Sequence, residues 1–195
     1  MMRALLLLVC ALIVSGSPVF GQNPTQVFSH KETGINFPAK LGHLELEGVK
    51  KYDNKALGVS VRYAGPHLLK ADVYVYHMGL RGIPNGIEST IITNHFSQVV
   101  EEVKNMEETG RYVSVVSVSR GVTSVGAHPN LWPTLYECFT YQQKVGTSEP
   151  RKSYLLLTGY KGHFVKIRFT YLLRQEAEGE ALRTEFLKDF GAYLR

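Results

Sequence analysis

Between residues 153 and 172 the chain reads SYLLLTGYKGHFVKIRFTYL. In the second arm, Val165, Ile167, Phe169 and Tyr171 alternate with Lys166, Arg168 and Thr170. A period of two sends the apolar set to one face of a strand and the polar set to the other. This predicts a half-buried strand. The first arm, residues 154–158, is apolar on both faces, which suits a strand covered from both sides. Gly159-Tyr160-Lys161-Gly162 between the arms supplies the glycines that a short reversal needs. The stretch therefore predicts a β-hairpin in the middle of a sheet, and the remaining elements have to be arranged around it.

Going back to the start of the folded part, Thr33-Gly34-Ile35-Asn36-Phe37-Pro38 reads as a short strand closed by a proline, which cannot donate to a ladder. His43 to Glu47 alternates Leu44 and Leu46 with His43, Glu45 and Glu47, the pattern of an edge strand. Leu57, Val59, Val61 and Tyr63, then Ala71, Val73 and Val75, predict two further strands of a meander. The period then changes. Ile92, Phe96, Val99, Val103 and Met106 recur at helical spacing, Asn85 and Glu88 resemble a capping box, and Gly110 is placed as a stop. After it, Val113 and Val115 fall on one strand phase and Val116 and Val118 on the other, which predicts a bulge. Residues 121–133, rich in turn-formers and carrying Trp132, read as a long loop. Residues 135–144 form another strand, residues 146–150 a turn, and Leu182, Phe186, Phe190 and Leu194 place a second amphipathic helix over residues 176–194.

Strands, a helix, more antiparallel strands and a closing helix predict an α+β domain: one mostly antiparallel sheet packed with two main helices, an α/β/α sandwich. No repeat or linker divides residues 22–195, so they are read as a single domain. This order, with the Thr33–Pro38 opening and a last strand feeding a C-terminal helix, resembles the PsbP-like α/β/α sandwich family of exported bacterial proteins and photosystem II accessory proteins. The resemblance covers most of the chain after residue 21. That family is largely non-enzymatic, so the resemblance implies an accessory or binding role by analogy of fold.

Residues 1–21 combine an early Arg3, an apolar run from Ala4 to Val14 and small residues after it, the make-up of a secretory signal peptide. The run falls short of the roughly 20 apolar residues that span a bilayer. Val19 and Gly21 fit the small positions before a cut, making Gln22 the new N-terminus; a cut after Gly16 is the alternative. Cys10 lies inside the apolar run without a small residue before it, which argues against lipid attachment. Losing the leader leaves Cys138 alone, so no intramolecular disulfide is expected, and a small buried hydrophobe is its simplest role. Asn23-Pro24-Thr25 is no glycosylation site because of its proline. Both absences point to a bacterial envelope, hence a periplasmic or secreted protein.

Loss of Arg3 takes the formal charge from +5 to +4. That excess is compatible with an anionic ligand, partner or membrane surface, while no nucleic-acid signature is present. Nor is there a Gly-x-Ser-x-Gly elbow, a phosphate-binding glycine loop or a paired-histidine zinc motif, so no catalytic residue, cofactor or metal is assigned. His43, Glu45 and Glu47, on one side of a strand, form the weighed metal set, against the plainer reading of a solvated edge. The polar side of the sheet is more suggestive. Arg62, Tyr74, Tyr76, Lys166 and Arg168 fall on strands that can neighbour one another, and arginine forks beside tyrosines suit carboxylate, phosphate or a protein partner. The Trp132 loop joins them as a candidate. Three functions stay open: an accessory or binding protein, a hydrolase-like enzyme without a recognisable motif, and a peripheral protein on anionic membrane.

Export is expected to remove the leader. Intact-mass measurement on protein recovered from the periplasm checks this, and a mass still containing Met1 to Gly16 contradicts it.

Overall fold

The computed structural model describes residues 28–144 and 148–194. The leader with Cys10 and its cleavage positions, the segment 22–26, and positions 146 and 147 of the expected turn lie outside the described residues.

Among the described residues, ten strands and two α-helices follow one another: β1 (Phe28–His30), β2 (Ile35–Phe37), β3 (Lys40–Leu41), β4 (Leu44–Lys51), β5 (Val59–Ala64), β6 (Lys70–Tyr76), α1 (Thr90–Glu108), β7 (Tyr112–Ala127), β8 (Asn130–Gln143), β9 (Arg151–Tyr160), β10 (His163–Leu172) and α2 (Glu176–Gly191). An eight-stranded sheet runs β3-β4-β5-β6-β10-β9-β8-β7, with β1 and β2 paired beside it. All of its pairings are antiparallel. The β9–β10 hairpin is central, as its sequence predicts. Pairing of His163 with Tyr160 leaves Lys161 and Gly162 as a two-residue loop with φ of 45° and 76°. Positive φ at both positions is the type I′ turn that matches strand twist.

One helix covers each face. On the α2 side, Val61, Val73, Ile167 and Leu156 register across four strands into one apolar row. The ring of Phe186 meets Tyr63 at 5.6 Å and Phe169 at 5.7 Å, and Phe190 stacks on Phe37 of β2 at 5.9 Å. Two glycines let α2 lie this close. A Cβ on Gly179 would sit 2.4 Å from the Tyr171 ring, and one on Gly191 2.0 Å from the Gly126 Cα. On the other side, Ile92, Phe96, Val99, Val103 and Met106 pack with Phe139, Tyr141, Leu155, Leu157 and Phe164. No helix among the described residues is long and apolar enough to cross a membrane.

Several expectations change. The cap of α1 is Ser89, whose Oγ accepts from the Ile91 N–H at 3.2 Å; Asn85 instead accepts from the Lys161 N–H at 2.7 Å and ties its segment to the central turn. Gly110, with φ of 67°, does follow the helix end. Residues 121–133 are not a loop. They complete the β7–β8 hairpin, whose tip is His128-Pro129. Pro133 is tolerated because the β8–β9 ladder ends at Leu135 and Leu157, Gly159 of β9 bonding to Gly86 instead, so no ladder on that side needs its N–H. The slip among the valines is real, since register shifts separate Val113 from Val116 and Ser117 from Ser119. Bulges on an exposed edge strand discourage pairing with another chain. Finally, β10 is covered on both faces rather than one: Lys166 is buried along with Ile167 and Phe169.

A polar knot pins α2 to the hairpin. The hydroxyls of Tyr154 and Tyr171 both donate to Glu180 Oε1, Lys152 Nζ lies 3.2 Å from the same oxygen, and Arg183 reaches Oε2 at 2.9 Å. Burial alone raises the Glu180 carboxyl, but the bonds from Tyr154, Tyr171 and Arg183 outweigh it and hold the group down at about 2. A carboxyl depressed from its ordinary value of 4.5 stabilises the fold when ionised, above that value, and the contribution is lost as pH falls toward about 2. Replacing Glu180 with Gln is therefore expected to cost about 1 to 3 kcal/mol at neutral pH. In urea titrations the difference from wild type should shrink between those two pH values, and a constant difference would refute the assignment.

Candidate functional site

The face carrying α1 is only partly covered. That helix lies chiefly over β7, β8 and β9. The same face continues across β5, β6 and β10, where alternation brings polar residues up instead of apolar ones. Pairing sets them in rows. Arg62, Asp72 and Arg168 share one row across β5, β6 and β10; Lys70 and Thr170 occupy the row on one side, and Tyr74 and Lys166 the row on the other. With strands about 4.8 Å apart and same-face residues roughly 7 Å apart along each strand, four cations surround one carboxylate.

Each group is held. Arg62 Nε donates to Asp72 Oδ1 at 2.6 Å and lies 3.9 Å from Glu47 Oε2. Arg168 is half-buried beside the stacked rings of Tyr112 and Tyr141, whose centroids are 4.1 Å apart; its guanidinium carbon lies 5.3 Å from Tyr112 and 5.7 Å from Tyr141, and it donates to Ser153 Oγ at 3.3 Å and Tyr141 Oη at 3.4 Å. The Lys166 ammonium stands 4.6 Å over the Tyr74 ring and 5.5 Å over Tyr76. Lys70 is different. Burial lowers its pKa, Asp72 opposes that, and Arg62 and Arg168 add to the lowering. Tyr141 feels these cations from the other sign: burial raises its hydroxyl, yet Arg168 and Lys70, together with hydrogen bonds to Thr170 and Tyr112, outweigh this and the pKa falls. The surface is short of negative charge.

Four of the candidate residues, Arg62, Tyr74, Lys166 and Arg168, thus come together on neighbouring strands. Tyr76 shares their face but lies beneath α1, where its hydroxyl meets His95 Nε2 at 2.7 Å. Trp132 is elsewhere. It packs on the α2 side, edge-on to Tyr160, and donates from Nε1 to Thr158 Oγ1 at 3.1 Å and the Gly159 carbonyl at 3.3 Å. His43, Glu45 and Glu47 border one open depression but do not converge. His43 contacts Glu185 of α2 at 2.6 Å, and the register shift between Leu46 and Gly48 allows Glu47 to approach Arg62. Cys138 is fully buried and burial raises its thiol pKa, leaving it a packing residue and a poor nucleophile. Asp72 and Lys70 were legible one and two alternations before Tyr74 on the same strand. Tyr112 and Tyr141 were not, because only the sheet order brings β7 and β8 beside Arg168.

No protein-family model matches the chain, and no curated protein does. Among solved structures it is similar to cyanobacterial PsbP (CyanoP) from Synechocystis sp. PCC 6803, at 11% identity and a TM-score of 0.45, over 88% of this chain and 96% of that one.

Because the planar fork of Arg168 lies against a stacked tyrosine pair and donates from two nitrogens to Ser153 and Tyr141, an ammonium is a poor substitute. Arg168→Lys is expected to destabilise the fold by about 1 to 3 kcal/mol in chemical denaturation; a loss within about 0.5 kcal/mol, the norm for a free surface charge, contradicts this packing.

Proposed function

We propose that the chain is an exported, non-enzymatic binding protein of the bacterial cell envelope, and that its cationic sheet face takes a carboxylate or phosphate group of a ligand or partner protein. The observation that carries this reading is Lys70, an ammonium held among Arg62, Arg168 and Lys166 with Asp72 as the only buried carboxylate of those rows. A partly desolvated ammonium with other cations beside it gains when an anion arrives, and Tyr74 adds flat contact area beside it. The leader supports export.

Lys70 also supplies the cleanest test. Removing Arg62 would strand the buried Asp72 carboxylate and cost stability, whereas neutralising Lys70 removes a charge that burial already disfavours. Calorimetric titration with citrate and with pyrophosphate is expected to show binding that weakens with added salt. Lys70→Gln should weaken it about tenfold, equivalent to about 1.4 kcal/mol, at an unchanged or higher melting temperature. Failure of both anions to bind in the millimolar range, or equal affinity in the variant, rejects the reading.

A further inference from the structure

On the α2 side, at the turn of the central hairpin, three of the chain's seven histidines gather. The rings of His30 and His163 meet edge-on at 5.3 Å, and that of His77 lies 5.6 Å from His163. His30 ends β1, Glu32 follows in the turn to β2, and His163 opens β10, so the cluster joins the N-terminal strand pair to the large sheet. Each of His30, Glu32 and His163 offers one ligand atom, and these atoms all lie within 4.8 Å of one another.

Hydrogen bonding shows which atoms are available. The Lys161 carbonyl can only accept, so His163 Nδ1, at 3.0 Å, carries a proton and donates to it. In the neutral ring that leaves a lone pair on Nε2, and Nε2 faces Glu32 Oε2 at 2.9 Å. Two electron-pair donors directed at each other need a cation, either a proton or a metal ion. A backbone carbonyl bonded to the far nitrogen is the usual second support of a metal-binding imidazole. Thr33 holds the His30 ring at Nδ1, with Oγ1 at 2.9 Å and its backbone N at the longer distance of 3.4 Å; in the tautomer that donates from Nδ1 to Oγ1, which unlike an N–H can accept, Nε2 is left with the lone pair. His77 accepts the Gly79 N–H on its Nδ1 at 3.1 Å, which puts its own proton on Nε2 and makes it a neighbour and not a ligand.

We infer that His30, Glu32 and His163 form a binding site for a divalent transition-metal ion, with water completing the shell. Two imidazoles and a carboxylate suit Zn²⁺, whose bonds to such ligands are about 2.0 to 2.2 Å. Both rings are buried and fixed, while the Glu32 side chain is 69% exposed and free to close on the ion. The site lies on the other face of the sheet from Lys70 and stands or falls independently of it. No local spacing announces it, since Glu32 and His163 are 131 positions apart.

Calorimetric titration of the full-length chain with Zn²⁺ alone is expected to show one equivalent bound and a raised melting temperature. With Co²⁺, the visible absorption of a low-coordinate nitrogen and oxygen site should appear. Glu32→Gln and His163→Gln should each weaken Zn²⁺ binding by about 10- to 100-fold. Glu32→Gln, at an exposed position, keeps the test decisive if the buried His163 variant fails to fold. His43→Gln, altering the separate pair with Glu185, should bind as wild type does. Absence of Zn²⁺ uptake below the millimolar range, or wild-type affinity in Glu32→Gln, or loss of binding in His43→Gln, overturns the inference.

Discussion

Covering the β9–β10 hairpin on both faces is the condition on which the other parts of this molecule depend. Each of the two strands has a neighbour on either side, so ladder partners are at hand along both. Their side chains are then enclosed above and below, and any polar one among them needs a partner inside the protein. Ser153 and Thr170 meet each other at 2.8 Å, Arg168 reaches Ser153 and Tyr141, and Lys166 rests on tyrosine faces. The tyrosines of this face are partners for the enclosed cations, with rings that attract positive charge and hydroxyls that accept hydrogen bonds.

The two helices meet the sheet differently, and this divides the surface. Contact between α2 and its face is intimate, with Gly179 and Gly191 removing the side chains that would hold it off and Glu180 gathering hydroxyls and cations from below. Coverage by α1 is broad but partial, ending before β5 and the outer part of β6. Where apolar cover stops, the residues on the face change from Leu155, Leu157 and Phe164 to Arg62, Lys70 and Asp72. The cationic patch is thus a consequence of where one helix ends its reach, and its charge excess stands on rigid strands instead of a loop. Rigid placement suits the binding role proposed for this face, because little ordering would remain to be done on association.

The cluster of His30, Glu32 and His163 arises from the second junction in the structure, the docking of β1 and β2 beside the hairpin turn. Phe37 stacks on Phe190 and fixes the short strand pair against α2. That leaves the β1–β2 turn facing residue 163. One junction therefore combines apolar anchoring at one end with imidazole and carboxylate at the other, and it is distinct from the tyrosine-lined face in position, charge and chemistry.

Much of the architecture was legible from periodicity. Alternation of two in Val165 to Tyr171, spacing of three and four in Ile92 to Met106, and the glycine pair around Lys161 determined the hairpin, α1 and the central turn, because these are local consequences of backbone geometry. The stretch 121–133 misled because glycines and prolines mark turns only where ladder bonds are needed on both sides, and there the β8–β9 ladder has ended, with Gly159 of β9 pairing to Gly86 instead. Alternation also placed Arg62, Tyr74, Lys166 and Arg168 on strand faces that can adjoin. It could not tell that α1 shelters Tyr76, that Trp132 belongs to the opposite face, or that Lys166 is enclosed. Those outcomes depend on the order β6-β10-β9-β8 and on how far a helix reaches across it. Charge types and strand phases were settled by the chain itself. Which charges meet, and which histidine stands 2.9 Å from Glu32, were decided by long-range packing, since residues 131 positions apart share no local geometry until the sheet has closed around them.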